Sequence, residues 1–216
     1  MCSKHFLQLF AVIAIPFLAS CGSSVEVLSK NDIKSGKSIT PKVEKHTVAT
    51  PSATLLTQAS TKPKDKHSMP IYKFGERQRI VRTTAYTCSE DDHIIYGSKN
   101  ATGTNLRYSD KVRSAAADWS FYPVGTVFRI KGMNQLFVVD DYGSALTGTG
   151  TIDLYKPCTE YMNQWGRRNV EISVVQWGSF KRSAEILKGR TGYSHCRQML
   201  SNIERQMAGS ENVAKN

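Results

Sequence analysis

Residues 138–155 read VVDDYGSALTGTGTIDLY, and the two ends of this stretch decide the fold. QLFVVDD (135–141) and TIDLY (151–155) are short runs of β-branched and aromatic residues, the composition of strands in a pleated, half-buried sheet. Gly143, Gly148 and Gly150 punctuate the interval between them. Both runs carry carboxylates. Asp140 and Asp141 end the first, and Asp153 sits between Ile152 and Leu154 in the second. A carboxylate among apolar neighbours is costly unless paired, hydrogen-bonded or protonated.

The same pattern extends outward. GTVFRIKG (125–132) precedes QLFVVDD across Gly132-Met133-Asn134, a hairpin-like turn. RIVRTTAYT (79–87) alternates polar and apolar residues, and VEISVVQWG (170–178) is the strongest strand signal of the chain. SEDDHIIYGSKNATGT (89–104) reads as a loop, and 161–168 as a helical turn. Short strands between turn signals predict a mainly β fold, a small barrel over residues 79–178 with short helices. Glu90, Asp91, Asp92 and His93 read as a solvated loop rather than a metal site, because no oxygen-rich calcium-type loop follows. No metal and no cofactor is expected.

The formal charge of +11 on 216 residues suggests nucleic acid, but its distribution argues against it. Residues 79–178 hold eleven Lys/Arg against ten Asp/Glu. The excess lies on the flanks, with ten against five over 22–78 and seven against three over 179–216. Basic flanks suit anionic lipid or wall polymer better than a nucleic-acid groove.

The start of the chain reads as an export signal over residues 1–20. Lys4 and His5 precede an apolar run from Phe6 to Leu18, interrupted by Gln8 and Pro16, and Leu18-Ala19-Ser20-Cys21 follows. That quartet resembles the lipobox of bacterial lipoproteins. The resemblance implies diacylation of Cys21, anchoring without a spanning helix, and, with Gly22 next, an outer-membrane location facing the periplasm. Residues 21–78, rich in Ser, Thr, Lys and Pro, read as a lipidated flexible tether. Residues 179–216 read as a basic tail with a short amphipathic helix, since Met199, Leu200, Ile203 and Met207 share one helical face. Cys88, Cys158 and Cys196 remain after the signal and the lipidated residue, so at most one internal disulfide forms, with Cys88 and Cys158 the expected pair. No context around them marks a nucleophile.

Three acidic positions stand out for chemistry: Asp118 after Ala115-Ala116-Ala117, the Asp140-Asp141 pair, and Asp153. Crowded carboxylates on a β-scaffold suit a general acid, since like charge and burial raise a pKa towards neutrality. On spacing alone the simpler reading is favoured, that these are turn and strand-end aspartates satisfied by backbone N–H groups.

Further motifs shift the balance. Ala85-Tyr86, Thr102-Gly103-Thr104, Asp118 with Pro123-Val124-Gly125-Thr126, Asp141-Tyr142-Gly143-Ser144-Ala145-Leu146-Thr147-Gly148 and Ile152-Asp153-Leu154-Tyr155 occur in order. Together they resemble the three-aspartate (3D) domain family, which shares a six-stranded double-psi β-barrel with membrane-bound lytic transglycosylase A. The resemblance covers Arg82 to Trp177. Tyr142, Ser144 and Thr147 depart from the usual Thr, Gly and Lys, and the Asp141-to-Asp153 interval is one residue longer than usual.

The resemblance implies cleavage of the β-1,4 bond between N-acetylmuramic acid and N-acetylglucosamine in peptidoglycan glycan strands. The product would be a 1,6-anhydro sugar. Asp153 would be the acid/base, Asp141 its supporting carboxylate or, with a slip of register, Asp140, and Asp118 would complete the cluster. Thr102, Gly103, Thr104, Tyr142, Gly143, Ser144, Gly148 and Tyr155 would line the substrate, with Gly143 and Gly148 letting backbone pass close to the sugar. Trp119 and Trp165 are further candidates to stack on sugar rings, or else core residues. Two other classes fit the same residues: a non-catalytic peptidoglycan-binding lipoprotein of the rare lipoprotein A type, and a structural tether between membrane and wall.

Overall fold

The computed structural model describes residues 48–88 and 97–213, with side chains to residue 209. The export signal, Cys21 and Glu90 to His93 lie outside the described residues.

Six strands close into a barrel. They are β1 (Gln78–Tyr86), β2 (Val112–Ala117), β3 (Val127–Ile130), β4 (Leu136–Asp141), β5 (Ile152–Tyr155) and β6 (Arg168–Gln176). Around the barrel the order is β1-β5-β2-β4-β3-β6. β3 and β4 form the expected hairpin, Val127 opposite Val138, and Gly132 takes the positive φ of 86° that the turn requires. The β1–β5 and β2–β4 pairs are parallel, so each needs a connection that crosses the barrel.

Period-2 alternation assigns the faces. Ala115, Ala117, Val139, Ile152, Leu154, Val170 and Ile172 point inward and are fully buried with Phe128, Ile130 and Phe137. Thr84, Tyr86, Ser114, Ala116, Asp153 and Tyr155 alternate with them and therefore stand on the outer face.

A bulge changes this alternation at one place. Ala115 pairs with Val139 but Ala116 pairs with Asp141, which leaves Asp140 as the extra residue of β4. Both acids consequently end β4 on the outer side, where Asp140 meets the Ser114 hydroxyl and Asp141 the Tyr86 hydroxyl.

The flanks are more ordered than their composition suggests. Residues 48–78, expected to be tether, fold onto the barrel. Helix α1 (Ala53–Ser60) buries Leu55 and Ala59 against Met69 and Ile80. Ala49 N–H donates to Lys131 O at 3.0 Å, Ser52 N–H to Glu171 Oε2 at 2.7 Å, and Gly150 N–H to Asp65 Oδ2 at 3.1 Å. A segment with few apolar residues can order itself when it docks on a surface that is already formed, because it need not build a core alone. The tether expected over residues 21–78 therefore does not extend over residues 48–78.

The expected tail is likewise part of the body. After α2 (Thr159–Trp165), helices α3 (Phe180–Lys188) and α4 (Ser194–Val213) pack on the barrel end. Leu187, Cys196, Met199 and Ile203 are fully buried in the main core. The apolar face read from the sequence is therefore a core face, and the helix is 20 residues long rather than short. Ser179 caps α3 by accepting from Arg182 N–H at 3.1 Å. Cys88, Cys158 and Cys196 are all free thiols, so the Cys88–Cys158 disulfide expected from the sequence is not formed.

Gly178 shows why the Pro123-Val124-Gly125-Thr126 turn has its sequence. A Cβ on Gly178 would lie 2.3 Å from both Pro123 O and Val124 O. Thr126 Oγ1 donates to Pro123 O at 2.6 Å and accepts from Gly178 N–H at 3.1 Å. Among the described residues, no helix is long and apolar enough to cross a membrane.

Candidate active site

The outer face of β1, β5, β2 and β4 carries one lateral row. Thr84 pairs with Asp153, Asp153 with Ala116, and Ala116 with Asp141. Paired residues on adjacent strands project to the same side, about 4.8 Å apart along the row. Ala116 thus separates the two acids by a single methyl group.

Each acid has its own environment. Asp153 is the partly exposed one, and Thr84 Oγ1 donates to its Oδ1 at 2.7 Å. Asp141 is buried and accepts from Tyr86 OH at 3.2 Å, Ala101 N–H at 3.1 Å and Tyr142 N–H at 3.0 Å. Asp140 is buried beside it. Ser114 Oγ donates to its Oδ2 at 2.8 Å, while its Oδ1 has no hydrogen-bond partner among the described residues. Burial first, and the Asp141 charge with it, push the Asp140 carboxyl up to about 6 against the pull of Ser114. Burial also drives the Tyr86 hydroxyl well above its ordinary range, with Asp141, Asp140 and Asp153 adding to the effect in that order. Tyr86 therefore keeps its proton and feels all three carboxylates.

Asp118 occupies a different environment. It is fully buried; its Oδ1 accepts from Ser120 N–H (2.8 Å) and Ser120 Oγ (2.7 Å), and its Oδ2 from Gly148 N–H (2.7 Å). Burial raises its pKa and these three bonds oppose that rise. The three donors tie the 118–121 turn to the 142–150 loop. The structure thus brings Asp141 and Asp153 into one row, adds Asp140, and sets Asp118 to hold the loop behind them.

Two loops rim the row. In the first, Asn100 Oδ1 accepts from Thr102 N–H and Thr104 N–H, both at 3.1 Å, and Gly103 takes a φ of +80°. The Thr102-Gly103-Thr104 turn is thereby fixed beside Ala101, whose N–H bonds Asp141. The second loop runs through Tyr142, Gly143, Ser144 and a 3₁₀ turn, Ser144–Leu146, to Gly148. Arg190, from the α3–α4 connection, joins the two loops. It donates from Nη1 to Tyr142 OH at 3.0 Å and from Nη2 to Ala101 O at 2.7 Å.

The aromatic candidates divide. Trp119 and Trp165 are buried core residues that donate from Nε1 to Asp141 O (2.9 Å) and Thr83 Oγ1 (3.3 Å), so neither offers a face to a sugar. Tyr155, expected to line the substrate, is buried as well: its ring is tilted against Tyr86 and edge-on to Tyr108, centroids at 5.7 and 6.3 Å, next to Asp153. Tyr142 is half-buried against Trp119.

Sequence reading passed over Thr84, Asn100 and Arg190, and used Tyr86 only as part of a motif. The alternation of β1 does place Thr84 and Tyr86 on one face. Nothing local marks Arg190, whose role depends on how the C-terminal helices dock. Among the described residues, no group of three or more His, Cys, Asp or Glu could hold a metal ion.

A family model described as 3D domain matches residues 113–176, from β2 to the end of β6. That family is associated with proteins that act on peptidoglycan. β1, the Thr102–Thr104 turn, α1, α3 and α4 lie outside the match. No curated protein matches the chain.

Proposed function

We propose that this chain, which carries a 3D domain, cleaves the β-1,4 glycosidic bond of peptidoglycan glycan strands by the lytic route. The observation that carries the reading is the accessible Asp153, held by Thr84 and separated from buried Asp141 by the small Ala116. An acid that must touch substrate has to be reachable, and the carboxylate that supports it does not. Asp153 alone among the acids of the row has that exposure.

In this mechanism Asp153 protonates the leaving glycosidic oxygen as the C–O bond breaks. It then takes the proton of the muramic acid C6 hydroxyl, whose oxygen attacks the anomeric carbon and closes a 1,6-anhydro ring. The nucleophile belongs to the substrate, so effective concentration replaces the second flanking carboxylate of an ordinary glycosidase. Asp141, fixed by its hydrogen-bond donors, is a preorganised negative charge that stabilises the oxocarbenium character of the transition state. Tyr86 holds Asp141 in its rotamer. Tyr155, buried with Tyr86 and Leu146, packs behind the acid rather than against the sugar. Thr102, Gly103, Thr104, Gly143 and Ser144 border the strand's path, and Asp118 keeps the Gly148 end of the loop in place.

Export through residues 1–20, lipidation at Cys21 and an outer-membrane location belong to the same proposal and rest on the sequence. They would bring the barrel to the wall polymer by a short link. The test is digestion of purified sacculi by the intact protein. Soluble anhydro-muropeptides are expected from the wild type and none from Asp153→Asn. Co-sedimentation without release would instead establish a binding protein.

A further inference from the structure

A second concave surface lies away from the aspartate row. A cavity of 560 Å³ opens between residues 71–79, the 120–121 turn and helix α4. Its cationic lining is Lys73, Arg79 and Arg205, and no carboxylate lines it. Arg79 is 1% exposed, and among the described residues no Asp or Glu pairs with it. Its Nε donates to Glu76 O at 2.8 Å and its Nη2 to Lys73 O at 3.0 Å. The guanidinium lies 5.4, 5.0 and 4.8 Å from the ring centroids of Tyr72, Tyr122 and Trp177. Carbonyls and ring faces fix its position, and the carboxylate it feels, Glu76, is already paired with Lys62 at 2.6 Å. A buried cation with no ion pair of its own is costly, and an anion brought near it lowers that cost.

The remaining walls narrow the ligand class. Phe74 is half exposed and rests on Trp177 and Phe180, with centroids at 4.5 and 4.8 Å. An aromatic held open at a cavity rim presents apolar surface to a ligand. From α4, the amides of Asn202 and Gln206 add polar groups suited to a peptide bond, Gln206 being steadied by donation to Ser120 O at 2.9 Å. Cations for carboxylates, rings for small apolar groups and amides for backbone together describe a short acidic peptide.

We infer that this cavity binds the peptide stems carried by wall glycan, which alternate carboxylates with alanine methyl groups. The identification of the occupant rests on the function proposed above. Lys73, Arg79 and Arg205 all lie outside the residues matched by the 3D model, so the site is a property of the flanking segments of this chain. It is joined to the aspartate face through Ser120, whose N–H and hydroxyl bind the Asp118 carboxylate.

The test is titration of the intact protein with synthetic alanyl-D-glutamyl-diaminopimelyl-alanine, read by Trp177 fluorescence and calorimetry. Saturable binding is expected, weakened at least about tenfold in Lys73→Ala/Arg205→Glu, as loss of charge-assisted bonds demands. Sugar release from glycan stripped of its peptides should be unchanged in that variant. No saturable binding, or equal binding by the variant, would overturn the inference. Displacement of the peptide by equimolar inorganic phosphate would overturn it in favour of a bare anion site. Peptide binding and cleavage of stripped glycan are separate readouts, so this inference and the proposed function fail separately.

Discussion

Asp153 and Asp141 are registered against the same residue, Ala116, from opposite sides: Asp153 across the β5–β2 ladder and Asp141 across β2–β4. The separation of the two acids is therefore set by strand spacing, which a side-chain rotation cannot close. Asp153 is the more accessible acid, and its replacement should affect chemistry more than folding. Asp153→Asn should lower sugar release ~10²–10⁴-fold, the usual contribution of a general acid. Its thermal midpoint should stay near that of the wild type. Rates on sacculi alongside a melting curve make the check.

Ala116 makes a distinct prediction. It is buried on the outer face with Tyr86, Leu146 and Tyr155. Ala116→Leu would drive a branched side chain between the acids at a stability cost of about 1–3 kcal/mol. Activity should fall much further than that cost explains, even at temperatures where the variant is fully folded by circular dichroism.

Asp118 should behave in the opposite way. Its oxygens accept from Ser120 N–H, Ser120 Oγ and Gly148 N–H. Removing them in Asp118→Ala strands buried donors at about 1–3 kcal/mol each. The variant should lose several degrees in Tm before any effect on the chemical step is considered. Asp118→Asn should also be destabilised, because its NH₂ must face at least one of those donors.

The Asp140 carboxyl fixes a pH dependence. Its pKa stands at about 6 in the fold against an ordinary 3.8. Between those values the folded chain holds more protons than the unfolded one, so this group lowers stability as pH rises through the window. The full penalty, about 3 kcal/mol at 1.36 kcal/mol per unit, applies above pH 6. Asp140→Asn keeps an oxygen for the Ser114 hydroxyl and carries no charge. It should be more stable than wild type at pH 7–8 and gain nothing near pH 4. Thermal melts across that range check the sign.

These residues also show what the sequence could and could not convey. Five strands are legible because β-branched and aromatic residues alternate between turn residues. The sixth, β2, is VRSAAA, whose alanines favour a helix by local propensity and form a strand because only small side chains fit between β5 and β4. The Asp141–Ala116–Asp153 row could not be read locally, since it depends on a parallel ladder, an antiparallel ladder and a bulge at Asp140. Residues 48–78 and 179–213 are more ordered than their composition suggests for one reason. Composition measures whether a segment can form a core alone, whereas Leu55, Leu187, Met199 and Ile203 complete a core begun elsewhere.

Gly178 is tested by its lack of space. With carbonyl oxygens 2.3 Å from any Cβ, Gly178→Ala must displace the 123–126 turn. A fall in stability of more than about 2 kcal/mol is expected, well above the usual cost of adding one methyl group. A denaturation midpoint measures it.

The most direct measurement of the central claim is digestion of sacculi in water enriched in ¹⁸O, followed by mass spectrometry of the soluble sugars. Attack by the substrate's own C6 hydroxyl at a site served by Asp153 predicts anhydro ends without ¹⁸O, and no release by Asp153→Asn. Reducing ends that carry ¹⁸O, or release undiminished in that variant, would contradict it.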